Sequence, residues 1–260
     1  MIFRFLFCLF VCWGGWLEAK TAVLVSIAPQ KFLVEKIGGN TVSVSVIVPP
    51  GFSSHSYEPS PRQLVTAKKG DIWFRIGESF EKKLLGALKN HLVVVDPIHL
   101  NGTDNHTWLN PLLLKTQAEQ IARTLSAHNP DRAVFYHNNL SALLKELDLL
   151  DQEISEILAH KKHKFILVSH PAFHYFCQQY GLEQLSIEME GKEPTPKYIT
   201  DLLLNAEARQ ISYVYVQKQH GTKGGEWMAR KLGAELVFLD PYAENVIENL
   251  KIIAKAFSLQ

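Results

Sequence analysis

Past residue 20 the chain alternates between two hydrophobic patterns. Short runs rich in β-branched and aromatic residues predict strands at 23–27, 42–48, 72–76 and 92–95. Between them, apolar positions spaced three to four apart predict helices at 30–37, 61–68 and 80–89. Pro111 opens a further helix to about residue 127, with Asn110 as its N-cap. After Pro130 neither Gly nor Pro occurs until beyond residue 161. In that stretch Val134, Leu140, Leu143, Leu144, Leu147, Leu150, Ile154, Ile157 and Leu158 form one helical stripe. Such a helix is about 45 Å long at ~1.5 Å per residue, more than a single lobe needs. The stripe lacks a sustained a/d heptad, which argues against a coiled-coil dimer. The alternation then resumes, with strands at 165–168, 184–187, 214–217 and 236–239 and helices at 171–180, 196–208, 223–232 and 243–256.

Strands alternating with helices call for parallel sheets with crossover helices. The expected fold is α/β: two lobes with mainly parallel four-stranded sheets, joined by one long helix. The divisions are a signal peptide at 1–19, an N-terminal lobe at 20–129, a linking helix at 130–163 and a C-terminal lobe at 164–260.

The first residues follow neither pattern. Arg4 precedes a nearly unbroken apolar run from Phe5 to Trp16, and Leu17-Glu18-Ala19 follows. A basic start, about a dozen apolar residues and a small residue near the end describe a secretory signal peptide, with cleavage near Ala19. The run is too short for a bilayer span, which needs about 20 apolar residues. Cys8 and Cys12 lie inside it, and Phe10-Val11-Cys12 lacks the small residues a lipid-anchored cysteine requires. The processed chain keeps only Cys177, so it has neither an internal disulfide nor a Cys-rich metal site. It is expected to be secreted or periplasmic. A net charge of +1 gives no reason for a nucleic-acid partner. The one basic run, Lys161-Lys162-His163-Lys164, reads as a solvated helix terminus where cations suit the helix dipole.

Ligands of open α/β sheets bind beyond the carboxyl ends of the strands. Past 42–48 lies a Pro- and Gly-shaped loop carrying His55; past 92–95 the chain leads to His106; past 165–168 comes His170; past 236–239 comes Asp240. Singly, each has an ordinary explanation as a loop or helix-capping residue. Together, two from each half at equivalent places, they make a His₃Asp set of the kind that satisfies Zn²⁺.

The segment from Pro49-Pro50-Gly51 through His55-Ser56-Tyr57-Glu58-Pro59-Ser60-Pro61 resembles the first ligand loop of the zinc and manganese receptors of ABC importers. Asp104-Asn105-His106-Thr107-Trp108-Leu109-Asn110-Pro111 resembles the second, and Ser169-His170-Pro171-Ala172-Phe173-His174-Tyr175-Phe176 the third. Glu193-Pro194-Thr195-Pro196 and Leu239-Asp240-Pro241 match later positions, so the resemblance runs in order along the whole chain after the signal. It implies two α/β lobes on a rigid helix, a metal in the cleft between them, and delivery to a membrane permease. It carries ligand roles to His55, His106, His170 and Asp240, with Zn²⁺ as the metal and Mn²⁺ or Fe²⁺ as alternatives. A monomer that captures metal without catalysis is expected.

Three departures qualify the resemblance. Residues 96–105 are short and hold only His99, so no His-rich scavenging loop is carried over. His174, four residues after His170, is assigned to packing or to support of the ligands. Gln217-Lys218-Gln219-His220 stands where the family tends to have Glu-Pro-Gln, and His220 is read as a surface histidine. The other readings are a secreted zinc hydrolase with Glu58 or Glu190 as base, and an adhesin holding structural zinc. No His-Glu-x-x-His pair supports the hydrolase, and no repeat supports the adhesin.

Overall fold

The computed structural model describes residues 19–98, 100, 104–161, 163–188 and 194–260. The expected signal peptide before residue 19, His99, Lys162 and residues 189–193 with Glu190 and Glu193 lie outside them. The first half contains β1 (Thr21–Val25), α1 (Ala28–Gly38), β2 (Val42–Val46), α2 (Pro61–Ala67), β3 (Ile72–Phe74), α3 (Ser79–Leu88), β4 (Val93–Val95) and α4 (Pro111–His128). After α5 (Ala133–Ala159) come β5 (Phe165–Val168), α6 (His174–Gln179), β6 (Glu183–Ser186), α7 (Pro196–Ala208), β7 (Tyr213–Gln217), α8 (Lys223–Leu232), β8 (Glu235–Leu239) and α9 (Val246–Ser258).

Each half builds a four-stranded sheet, in the orders β2-β1-β3-β4 and β6-β5-β7-β8. All pairings are parallel. The central strands are buried on both faces, as the runs Ile72-Trp73-Phe74 and Phe165-Ile166-Leu167-Val168 require. All strand ends in a lobe therefore point one way, and the two sets of ends supply the loops between the lobes.

Local chemistry sets the element boundaries. Ser60 and Gln63 form a capping box before Pro61; Asn110, Thr195 and Asn245 cap α4, α7 and α9 by accepting from the third residue on. Two helices start later than their prolines suggest. After Pro171 the Ala172 N–H turns back to the His170 carbonyl at 2.9 Å, and α6 begins only at His174. After Pro241 the Asp240 side chain accepts from the Tyr242 N–H at 2.9 Å, and Asn245 becomes the cap of α9. In both places a local side-chain or turn bond outcompetes the helix that proline would have begun.

The spine opens with a 3₁₀ turn, Pro130–Arg132, and continues as 27 residues of α5, about 40 Å. Tyr136, Leu143, Leu147, Leu150, Ile154 and Leu158 form its buried stripe. The stripe joins one apolar core that runs from Val23, Leu33 and Ile121 in the first half to Ile166, Leu250 and Phe257 in the second. Lys161 departs from its expected solvated position. Its ammonium is buried and donates to the carbonyls of Phe257 and Gln260, at 2.6 and 3.1 Å. The cation thus meets the end of α9, where orphan carbonyls collect. Burial, then the charge of Lys164, pushes its pKa down to about 8, against the opposing effect of Cys177.

Candidate metal centre

The loop after β2 turns at Gly51, whose φ of +84° suits a residue without Cβ. It delivers His55, whose N–H reaches Ser53 Oγ at 3.3 Å. His106 sits at the end of the segment that follows β4. Asp104 Oδ1 holds it twice, accepting from the backbone N–H at 2.9 Å and facing Nδ1 at 2.6 Å. His170 leaves β5 with its peptide locked by Gln217, which accepts from its N–H at 3.1 Å and donates to its carbonyl at 2.9 Å.

These three imidazoles converge. His55 Nε2 lies 3.2 Å from His106 Nε2 and 3.1 Å from His170 Nε2. Each ring turns its other nitrogen to a carboxylate: His55 Nδ1 to Glu78 Oε2 at 3.1 Å, His106 Nδ1 to Asp104 Oδ1, and His170 Nδ1 to Glu188 Oε2 at 3.0 Å. An ionised carboxylate only accepts, so the neutral imidazole carries its proton on Nδ1 and leaves Nε2 as a bare lone pair. Three lone pairs aimed at one another repel unless a cation lies among them. Tetrahedral zinc with bonds of ~2.05 Å sets its nitrogens about 3.3 Å apart, close to the spacings here.

The carboxylates are themselves placed. Glu81, buried beneath, accepts from the N–H groups of Ile76 and Gly77 at 2.9 and 2.8 Å, and so fixes the turn after β3. Gly77 has φ +93°, and a Cβ there would stand 3.0 Å from Asn105 Oδ1. Glu78 comes next, buried, with Asn105 Nδ2 donating to its Oε1 at 3.2 Å. Burial opposes charge on His55, but the hydrogen bond and charge of Glu78, with Asp104 and Glu188 beyond, raise its pKa above the ordinary value. Glu78 answers in kind: despite burial, His55, Asn105 and His106 hold its carboxyl below the usual range. For His170 burial prevails, helped by His106 and His55, and its pKa is lowered against the pull of Glu188.

Of the four expected ligands, three meet and Asp240 stands apart from the converging nitrogens. Its exposed carboxylate accepts from Gln219 Nε2 at 2.6 Å and from the Tyr242 N–H. His174 is exposed at the start of α6, against Tyr175, and supports none of the three ligands. His220 is not the surface residue expected of it: its ring stacks on His170, with centroids 3.9 Å apart at 15°. Burial, then the charges of His170, His55 and His106, depresses its pKa to about 3. Glu58, the hydrolase reading's base, is paired with Lys83 at 2.6 Å on the surface. The sequence reading passes over Glu78 and Glu188 and takes His220 for a surface histidine, although each follows a strand: β3, β6 and β7. The strand-end criterion, applied to every strand, would have found them.

Comparison with known proteins places this geometry in context. A family model described as the periplasmic zinc-uptake complex component A matches residues 23–254. A putative metal-binding protein of Chlamydia muridarum is 39% identical over 258 residues, covering 94% of this chain and 93% of the relative. The crystal structure of ZnuA superposes with a TM-score of 0.88 at 36% identity, covering 93% of this chain and 99% of that one. A zinc-bound deletion mutant of ZnuA gives 0.86 at the same identity, covering 93% and 97%.

Proposed function

Because the chain belongs to the family of periplasmic zinc-uptake component A proteins, we propose that His55, His106 and His170 are the ligands with which it captures Zn²⁺ for an ABC importer. The observation that carries this is the convergence of three imidazoles, with His55 Nε2 3.2 Å from His106 Nε2 and 3.1 Å from His170 Nε2, each ring backed by a carboxylate. Imidazole suits zinc, whereas Mn²⁺ and Fe²⁺ gain more from additional oxygen donors. Gln219 and the Tyr242 N–H both donate to Oδ1 of Asp240, so its Oδ2 is the oxygen left to approach the metal as a fourth ligand; otherwise water fills that place.

We read the chain as a receptor that does no chemistry on its cargo. No helix among the described residues is long and apolar enough to cross a membrane. The apolar run before residue 19 serves as a signal peptide, so the processed chain works outside the cytoplasm as a monomer and hands metal to its permease. Nucleic acid plays no part in this reading.

Calorimetric zinc titration tests the ligand set. The parent should bind one ion. His55→Ala, His106→Ala and His170→Ala should each lose at least about a hundredfold in affinity while keeping the parent's circular dichroism. A variant that binds zinc as tightly as the parent removes its residue from the set. Asp240→Ala in the same series shows whether Asp240 joins the other three.

A further inference from the structure

The loop after β7 carries a fourth histidine that the three-nitrogen centre does not use. His220 is nearly buried, its side chain 9% exposed, on the seam between the lobes. Among the described residues its Nε2 reaches Ser53 Oγ alone, at 3.4 Å, on the loop that brings His55 from the other lobe. Its Nδ1 lies 3.9 Å from Glu188 Oε2, the same oxygen that faces His170 Nδ1 at 3.0 Å. Ligand atoms of His170, Glu188 and His220 all fall within 4.8 Å of one another, forming a second group that shares His170 with the first.

The stacking decides what His220 can do. A ligating nitrogen offers its lone pair in the plane of its ring. Two imidazoles 3.9 Å apart and inclined by only 15° hold their lone pairs in separate, nearly parallel planes, so both cannot meet one ion at ~2.0 Å. With His170 Nε2 turned to His55 and His106, His220 is excluded from the inner ion as these rings stand. Its Nδ1 instead lies 3.9 Å from the partly exposed Glu188 carboxylate, which stands at the Nδ1 edge of His170 and so away from the inner nitrogens. A carboxylate oxygen with an imidazole nitrogen, completed by water, is a usable zinc environment.

We infer that Glu188 and His220 form an outer position for a divalent cation, which the metal visits on entering and leaving the inner His55–His106–His170 centre. The inference rests on that centre being the capture site. A cation on Glu188 takes away the acceptor that orients His170, and two dications so close repel, so the positions exclude each other at one ion per chain. Transfer requires His170 to shift by little, because it belongs to both groups and the Glu188 Oε2 already faces its Nδ1 at 3.0 Å.

The test separates a staging position from an ordinary ligand. His220→Phe keeps an aromatic ring on His170 and removes both nitrogens; His220→Gln is the alternative if the apolar ring disturbs the fold. Stopped-flow zinc uptake and chelator-driven release are measured on parent and variant, together with the zinc Kd by competition. The expected result is an unchanged Kd and stoichiometry of one, with both rates slower by about tenfold. Unchanged rates overturn the inference. A weaker Kd with uptake as fast as the parent's also overturns it, because His220 would then be a ligand of the inner ion. A parent that takes up no zinc overturns the inner centre and the outer position together.

Discussion

Glu78, Asp104 and Glu188 decide what kind of nitrogen each imidazole offers. By fixing the proton on Nδ1 they leave Nε2 free and more basic, as outer-shell carboxylates do for metal-bound histidines generally. Basicity also strengthens competition from protons, and His55 is where this acts most directly. Its raised pKa means that, as pH falls, it protonates before an ordinary histidine would, so zinc affinity begins to drop above about pH 6.5. His170, with its lowered pKa, contributes to that loss only at more acidic pH. Glu78→Gln removes the charge that sustains the shift at His55 while keeping a polar side chain. Affinity at pH 7.5 should fall by about tenfold or more, and the acid-side decline should move to lower pH than in the parent. Competition titrations from pH 5 to 8 measure both. A variant with the parent's pH profile would mean that Glu78 does not govern the His55 proton.

At the scale of elements, most of what was legible in the sequence was periodic or capped. The strands and the long stripe of α5 announce themselves because a buried parallel strand and an amphipathic helix each impose a repeat on adjacent residues. Asn110 was readable as a cap because the bond it makes is local. His55, His106 and His170 stood out because metal-binding residue types fell at strand ends. Glu78 and Glu188 were harder, because their role depends on meeting a histidine 23 or 18 residues away, and no local pattern records that meeting. Lys161 was misjudged for a related reason: the carbonyls that receive it, of Phe257 in α9 and of Gln260 just past its end, come about a hundred residues later. The α5 stripe itself yields a prediction. Leu147 is fully buried in the core that both lobes share. Leu147→Ala should cost about 2–5 kcal/mol in urea denaturation, and because that core is continuous the loss should appear in a single transition. The folded variant should keep the parent's zinc affinity. Two separated transitions would mean that the lobes unfold independently of the spine.

The whole molecule is tied together across the cleft as well as behind it. Trp108, fully buried, donates from Nε1 to the Pro241 carbonyl at 2.8 Å, and Ser54 Oγ meets the Tyr242 hydroxyl at 2.9 Å. Tyr175 donates to the Asp104 carbonyl at 2.9 Å, and Asn110 Nδ2 to the Tyr175 carbonyl at 2.9 Å. Lys31 on α1 pairs with Glu244 at 2.8 Å. Opening the lobes as a clam would break the buried bonds among these and would also bend α5, which has neither Pro nor Gly to bend at. Large hinge closure needs a few residues able to absorb the change in φ and ψ, and a continuous packed helix provides none. Zinc binding is therefore expected to act on the loops, above all the one bearing His55, whose side chain is one-third exposed. Small-angle scattering of zinc-free and zinc-loaded protein should give radii of gyration near ~18 Å that differ by less than about 1 Å. Hydrogen exchange should slow in the loop around His55 and stay unchanged along α5. A compaction of several ångströms on adding zinc, or slowed exchange through the middle of α5, would show that the spine flexes and that capture proceeds by closure of the lobes.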